Sequence, residues 1–265
     1  MQYSTPPRSV QSSQVLIVRI LAILFIAASY ILVTCNAFSA ITMGVDTGIQ
    51  KRYAVNLKFS IKDERRQDFL SLIKDNQQKT LNLEPDALQY VVGEDVDTKN
   101  TFYLHEEFIG AQGFDAHRAM PHAGDWALFK NSDPFQVGGE PILDFYYEYS
   151  DISSTEFQQI PIRPAFCVHV ELCVKPEYRE EFIQVILNNQ RGSIEEEPLC
   201  LQYIFGESTK EENKFVFHEQ YTGNDNGKEG FDAHMNTLHF RHWEKFVEKN
   251  PFTKPPVVNF FKTIQ

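Results

Sequence analysis

Cysteine is scarce in this chain, and its spacing does not suit cross-links. Only four occur in 265 residues. Cys35 falls in an apolar leader, which leaves Cys167, Cys173 and Cys200. An odd number without CxxC spacing indicates neither a zinc site nor a disulfide framework. Cys167 and Cys173 fall on one predicted strand, which holds them roughly 20 Å apart and out of bonding range. Positive charge is short as well: 25 Lys and Arg face 36 Asp and Glu, for a net charge of −11. That balance speaks against nucleic acid, whose binders cluster Lys and Arg. The carboxylates are spread along the chain, as on a solvated acidic surface. No metal or flavin motif is present. What remains, with 42% hydrophobic residues, reads as a globular chain of two-domain size.

Long apolar runs are confined to residues 15–33, interrupted only by Arg19, Ser29 and Tyr30. Arg8 and Arg19 precede the strongest part, and Cys35-Asn36-Ala37 supplies small residues where a signal peptidase reads. Residues 1–37 therefore read as a secretory signal peptide or, alternatively, as an uncleaved signal anchor, since about 19 apolar residues just span a bilayer. The junction Ala37-Phe38-Ser39-Ala40 resembles the signal-plus-transit leaders of plastid proteins in diatoms and related algae, with residues 38–52 as a transit or linker segment. The expected location is the secretory pathway, a plastid, or a membrane reached only through this segment.

The rest of the chain repeats itself. Gly113-Phe114-Asp115-Ala116-His117 returns as Gly230-Phe231-Asp232-Ala233-His234. Leu88-Gln89-Tyr90 recurs as Leu201-Gln202-Tyr203, Gly93-Glu94 as Gly206-Glu207, and His105-Glu106 as His218-Glu219. Trp126 and Phe129 recur as Trp243 and Phe246. This is a tandem duplication, with one unit at residues 53–149, a Ser, Gln and Pro-rich linker at 150–164, and a second unit at 165–265. Alternating apolar residues predict strands at 53–61 and 166–174. Helices follow, opened by Asp63 and by Pro176 and ended by Glu84-Pro85 and Glu197-Pro198. Two strands, a shorter helical region entered by the repeated pentapeptide, and a last strand at 142–149 or 257–264 complete each unit. The order βαββαβ is the ferredoxin-like plan, with both helices on one face of an antiparallel sheet. The class is therefore α+β, and the open sheet faces are expected to pair and enclose a cavity between them.

The helix, Glu-Pro, Leu-Gln-Tyr, the strand ending His-Glu, Phe-Asp-Ala-His and the downstream His and Trp resemble the antibiotic-biosynthesis monooxygenase (ABM) domain. The resemblance covers both repeats. It implies a dimeric α+β barrel, here folded within one chain as an internal pseudo-dimer. It also implies a small aromatic or quinol substrate, O₂ as the second substrate, and no cofactor. Relatives that degrade haem use an Asn, a Trp and a His with the Trp first. Here Trp126 and Trp243 follow His117 and His234, which counts against haem while leaving it open.

The candidate catalytic residues are His117, His122, His234 and His239, because imidazole titrates near working pH and can take a phenolic proton. The candidate substrate contacts are Asn56, Tyr90, His105, Trp126, His169, Tyr203, His218 and Trp243. Asn56 and His169 lie on the less apolar face of the first strand of each repeat, expected to look into the cavity. Of the two, the Asn56 cavity is expected to be the more active. Each assignment has a structural alternative. Asp115 and Asp232 can cap helices, the histidines and tryptophans can be core, and Glu106 and Glu219 can be hydrogen-bonded scaffold. A five-residue spacing keeps His117 and His122 from sharing a metal on one helix, so no metal is expected. The rival function is a non-catalytic barrel that binds a small hydrophobic molecule.

Overall fold

The computed structural model describes residues 51–150 and 158–264. The leader reading of residues 1–37 lies outside them. Among the described residues no helix is long and apolar enough to cross a membrane.

Each repeat folds as the alternation dictates. The first contributes β1 (Arg52–Ser60), α1 (Arg66–Leu83), β2 (Ala87–Asp95), β3 (Thr101–Ile109), α2 (Gly110–Arg118), α3 (Pro121–Lys130) and β4 (Ile142–Glu148). The second contributes β5 (Phe166–Cys173), α4 (Arg179–Glu196), β6 (Cys200–Ser208), β7 (Lys214–Tyr221), α5 (Lys228–His234), α6 (Leu238–Val247) and β8 (Val257–Thr263). The eight strands close into one antiparallel barrel in the order β1-β3-β2-β8-β5-β7-β6-β4. The halves therefore join edge to edge, through β2 with β8 and β4 with β6.

Both seams are short, three residue pairs each, and each runs past one of the repeated glycines. A Cβ on Gly93 would sit 2.3 Å from the Phe261 ring, and one on Gly206 would sit 2.1 Å from the Tyr147 carbonyl. Only a residue without Cβ lets the neighbouring strand approach this closely. That is the physical content of the Gly-Glu repeat.

Strand parity sorts the side chains. In β1, Val55, Leu57 and Phe59 join Phe69 and Ile73 of α1 and Phe129 of α3 in the first core. In β5 and β7, Leu172 and Phe217 join Phe182 and Ile186 of α4 and Phe246 of α6 in the second. The helices thus coat the outside of the barrel. The opposite parity fills the inside, where Tyr103, Cys167 and Phe261 pack together and Ala54, Tyr146, Ile204 and Val216 form a further cluster. The space between the sheets is a packed interior with side chains from both repeats.

That interior is also polar at its centre. The His105 and His218 rings stack 3.7 Å apart at an interplanar angle of 8°. His105 bonds Asn56 Oδ1 through Nδ1 (2.7 Å) and Glu107 Oε1 through Nε2 (2.9 Å). His218 Nδ1 pairs with His169 Nε2 at 3.0 Å. Arg52 and Gln202 donate to Glu107, and Gln220 donates to Gln202. So Asn56–His105–Glu107 of one repeat meets His169–His218–Gln220 of the other.

Candidate functional site

A cavity of about 220 Å³ lies between the second sheet and its helices. Its floor is Val168, Val170 and Leu172 of β5 with Phe217 and Glu219 of β7. Asn189 of α4, Tyr203 of β6, His234 of α5 and Trp243 of α6 form its walls, and the segment from Asn250 to Pro256 borders it.

Three strand residues around this cavity are smaller than their counterparts in the first repeat. Leu172 stands where the first repeat has Phe59, Val170 where it has Leu57, and Val258 where it has Leu143. The larger Phe217 and Phe240 replace Leu104 and Ala123, and the Phe240 ring stands against His234, 5.1 Å between centroids. In the first repeat Phe59 fills the matching position. Its ring lies 5.5 Å from Trp126 and 6.2 Å from Phe135, the partners of Trp243 and Phe252 that line the cavity.

The histidines converge on the carboxylate of the repeated Glu-Pro pair, which was not among the candidate site residues. The second helical region is broken at Ala119-Met120 and again at Met235–Thr237. His234 ends one helix and His239 begins the next, so both reach Glu197, the residue capping α4. His234 Nδ1 is 2.8 Å from Glu197 Oε1, and His239 Nε2 is 2.5 Å from the same atom. Glu84 receives His117 Nδ1 at 3.0 Å and His122 Nε2 at 2.6 Å. The expectation that five-residue spacing separates these histidines is thus corrected by the helix break. Each trio brings its ligand atoms within 4.8 Å, as do His105, His169 and His218, distances that a metal ion can bridge. Hydrogen bonding accounts for the same closeness in the two glutamate trios.

Charge assigns the protons. Burial alone would raise the pKa of Glu197, but hydrogen bonds from His234, His239 and Ser193 outweigh it and lower the pKa. A carboxylate only accepts, so His234 donates from Nδ1, and the neutral ring carries its lone pair on Nε2. In the first repeat that second nitrogen, Nε2 of His117, is 3.9 Å from Glu106. Glu219 is the matching residue on the cavity floor. Burial pushes its pKa up, nearby Glu197 adds to this, and His234 and the Tyr221 hydroxyl oppose it. Tyr221 donates to Glu219 Oε2 at 2.8 Å.

The structure divides the sequence candidates into three places. His234, Tyr203 and Trp243 line the cavity, with His239 behind Glu197. His117, His122, Tyr90 and Trp126 form the closed counterpart in the first repeat, where Phe59 fills the space. Asn56, His105, His169 and His218 are buried at the barrel centre, away from the cavity lining. The expected cavity between the sheets is therefore corrected to a packed interior; Asn56 lies in that interior, and the cavity described here lies in the second repeat. Asp115 and Asp232 do not cap: their helices start upstream, at Gly110 and Lys228, and Asp232 pairs with Lys228 at 2.6 Å. Glu84, Glu197 and Asn189 were not expected at the site. Their signal was present in Glu84-Pro85 and Glu197-Pro198, read as helix ends and as part of the family pattern, and in Asn76 and Asn189 at the same repeat offset.

Comparison with known proteins bears on what such a cavity does. The model of the antibiotic biosynthesis monooxygenase family matches the chain twice, over residues 52–127 and 165–245. An uncharacterised protein of Synechocystis is 34% identical over 94 residues, which are 34% of this chain and 56% of that protein. The chain thus spans little more than half the length of this curated relative. A candidate monooxygenase of Fusobacterium nucleatum superposes with a TM-score of 0.68 at 18% identity, over 82% of this chain and 94% of its own. A candidate monooxygenase of Lactobacillus acidophilus gives 0.66 at 17% identity, over 80% and 93%. At these identities the two structures speak for the fold.

Proposed function

Since the chain belongs to the antibiotic biosynthesis monooxygenase family, we propose that its second-repeat cavity oxygenates a small electron-rich phenol or quinol with O₂ and without a bound cofactor. The observation that carries this reading is the Glu197–His234 pair at the wall of an apolar cavity.

Glu197 holds the Nδ1 proton, so His234 offers Nε2 as base. It takes the proton of the substrate hydroxyl, leaving an anion whose charge a desolvated cavity concentrates. The Tyr203 hydroxyl, which shares the cavity lining with His234, can donate to that oxygen. The anion passes one electron to O₂, giving an organic radical and superoxide, and the pair joins to form a carbon–oxygen bond. The His234 imidazolium returns its proton to the peroxide. A carbon that still bears hydrogen then loses water: one oxygen stays as a carbonyl and the other leaves. Apolar walls suit both the flat substrate and O₂.

Oxygen uptake by the purified chain with a set of phenols and quinols tests this. The variant His234→Gln is expected to lower turnover by roughly 10²-fold or more while substrate affinity changes little. Unchanged uptake in that variant would remove His234 from the chemistry. Tight binding by the wild type with no oxygen consumed would favour the rival reading, a carrier of small hydrophobic molecules.

A further inference from the structure

Each seam of the barrel ends on a residue that the two repeats fill differently. Just beyond β4, the Tyr149 N–H donates to the Phe205 carbonyl at 2.8 Å; just beyond β8, the Ile264 N–H donates to the Val92 carbonyl at 3.0 Å. Phe205 and Val92 are matched positions of the repeat, so Tyr149 and Ile264 are matched as well. In the second repeat the Tyr149 ring stacks on Phe205, 5.6 Å between centroids at 18°, and packs into the core that holds Ile183 and Leu187 of α4. Its hydroxyl accepts from Arg179 Nη2 at 3.2 Å. Arg179 in turn grips Glu207 at 2.7 and 2.8 Å.

The first repeat keeps this frame and lacks the ring. Arg66 grips Glu94 at 2.5 and 2.7 Å, as Arg179 grips Glu207. Between α1 and β2 runs a groove of about 300 Å³, bordered by Arg66 and Gln77 and lined by Leu70, Ile73, Val92 and Ile264. Val92 stands where the second repeat has Phe205, and Ile264 where it has Tyr149; both are smaller.

We propose that this groove binds a para-alkyl phenol, which takes the place that Tyr149 fills in the twin. The ring lies over Val92 with its alkyl group toward Ile264 and its hydroxyl at Arg66 and Glu94. A guanidinium only donates and a carboxylate only accepts, whereas a phenol hydroxyl does both, so this end of the groove suits that group. An apolar lining with a few polar groups is the usual make-up of a small-molecule site. The groove shares no residue with the cavity of the second repeat. The inference therefore does not rest on the catalytic reading, and the two stand or fall separately.

The test is methyl NMR of the full chain labelled at isoleucine, titrated without oxygen. The probes are p-cresol, which is the tyrosine side chain as a free molecule, and toluene, which lacks the hydroxyl. In the wild type p-cresol is expected to shift the Ile73 and Ile264 methyls saturably, at about tenfold lower concentration than toluene, and to leave Ile183 unmoved. Ile264→Tyr supplies the ring from the chain itself and should silence Ile73. Tyr149→Ala should empty the twin groove, since an apolar space opened by truncation accepts a small aromatic, and bring Ile183 into response. Cooperative urea unfolding checks that each variant is folded. Silent Ile73 and Ile264 methyls in the wild type overturn the proposal, as does toluene binding as tightly as p-cresol. An Ile73 response that survives in folded Ile264→Tyr overturns it too. So does a folded Tyr149→Ala in which Ile183 stays silent, because the twin then does not define the occupant.

Discussion

Replacing Leu172 by Phe should close the second cavity and abolish ligand binding while the fold survives. The first repeat demonstrates the outcome, since Phe59 at this position packs against Phe69, Trp126 and Phe135. Phe182, Trp243 and Phe252 wait at the corresponding places in the second. An aromatic ligand buries about 150–250 Å², which at about 25 cal/mol per Å² is roughly 4–6 kcal/mol of burial free energy. Losing it weakens binding by about 10³- to 10⁴-fold, enough to erase a micromolar ligand. The ring enters existing space of about 220 Å³, so the usual overpacking cost of about 1–3 kcal/mol should not appear. The converse change, Phe59→Leu, should destabilise the first repeat by less than the roughly 3–5 kcal/mol of a Phe-to-Ala truncation and open a second cavity. Ligand titration and urea unfolding of both variants measure these effects. Wild-type affinity in folded Leu172→Phe would refute the assignment of the cavity as the site.

Four further outcomes follow from the same geometry. Gly206→Ala places a methyl 2.1 Å from the Tyr147 carbonyl at a seam and should cost more than about 2 kcal/mol in denaturant unfolding. Gly124→Ala on α3, with nothing within 4 Å, should instead stabilise by about 0.5–1 kcal/mol. Burial, with Glu84 adding to it and His117 opposing it, lifts the Glu106 pKa to about 7. The unfolded chain therefore gives up this proton near pH 4.5 and the folded chain keeps it to about pH 7, so this group's contribution falls as pH rises through that window, by roughly 3 kcal/mol at most; Glu106→Gln should flatten that part of the urea-unfolding profile. Residues 51–150 produced alone leave both seam edges of β2 and β4 unpaired, so light scattering should find dimers or aggregates; a cooperatively folded monomer would contradict the barrel as the folding unit.

The fold was legible because the sequence states it twice. Period-two strands, Glu-Pro breaks and repeated glycines placed nearly every element, and the need to cover an open sheet face brought the halves together. The site was less legible, for physical reasons. Alternation in β1 separates Asn56 from Val55 and Leu57, but it does not say whether the space in front of Asn56 is empty. That depends on Tyr103, Tyr146 and His218 arriving from three other strands. The lining of the cavity differs from its counterpart by changes in both directions, Leu172 for Phe59 and Val170 for Leu57 against Phe217 for Leu104 and Phe240 for Ala123, whose balance appears only when both helices are in place. The meeting of His234, His239 and Glu197 depends on a two-helix break and on the end of a third helix, separated by dozens of residues. Residue type marked the histidines; only tertiary approach marked their carboxylate.

The centre of the barrel shows what joining two copies in one chain permits. In an assembly of identical subunits, any group at the two-fold axis meets its own image, so a lone carboxylate there would face another. Here Glu107 is matched by Gln220 and Asn56 by His169, and a single negative charge, held by Arg52, sits where symmetry would have imposed two. Covalent linkage also fixes the partner: every half meets an unlike half, at an effective concentration no mixing can dilute. Mutations on one side can then be answered on the other without being duplicated. The same release from self-complementarity lets one helical face keep an open cavity while its twin becomes a filled core.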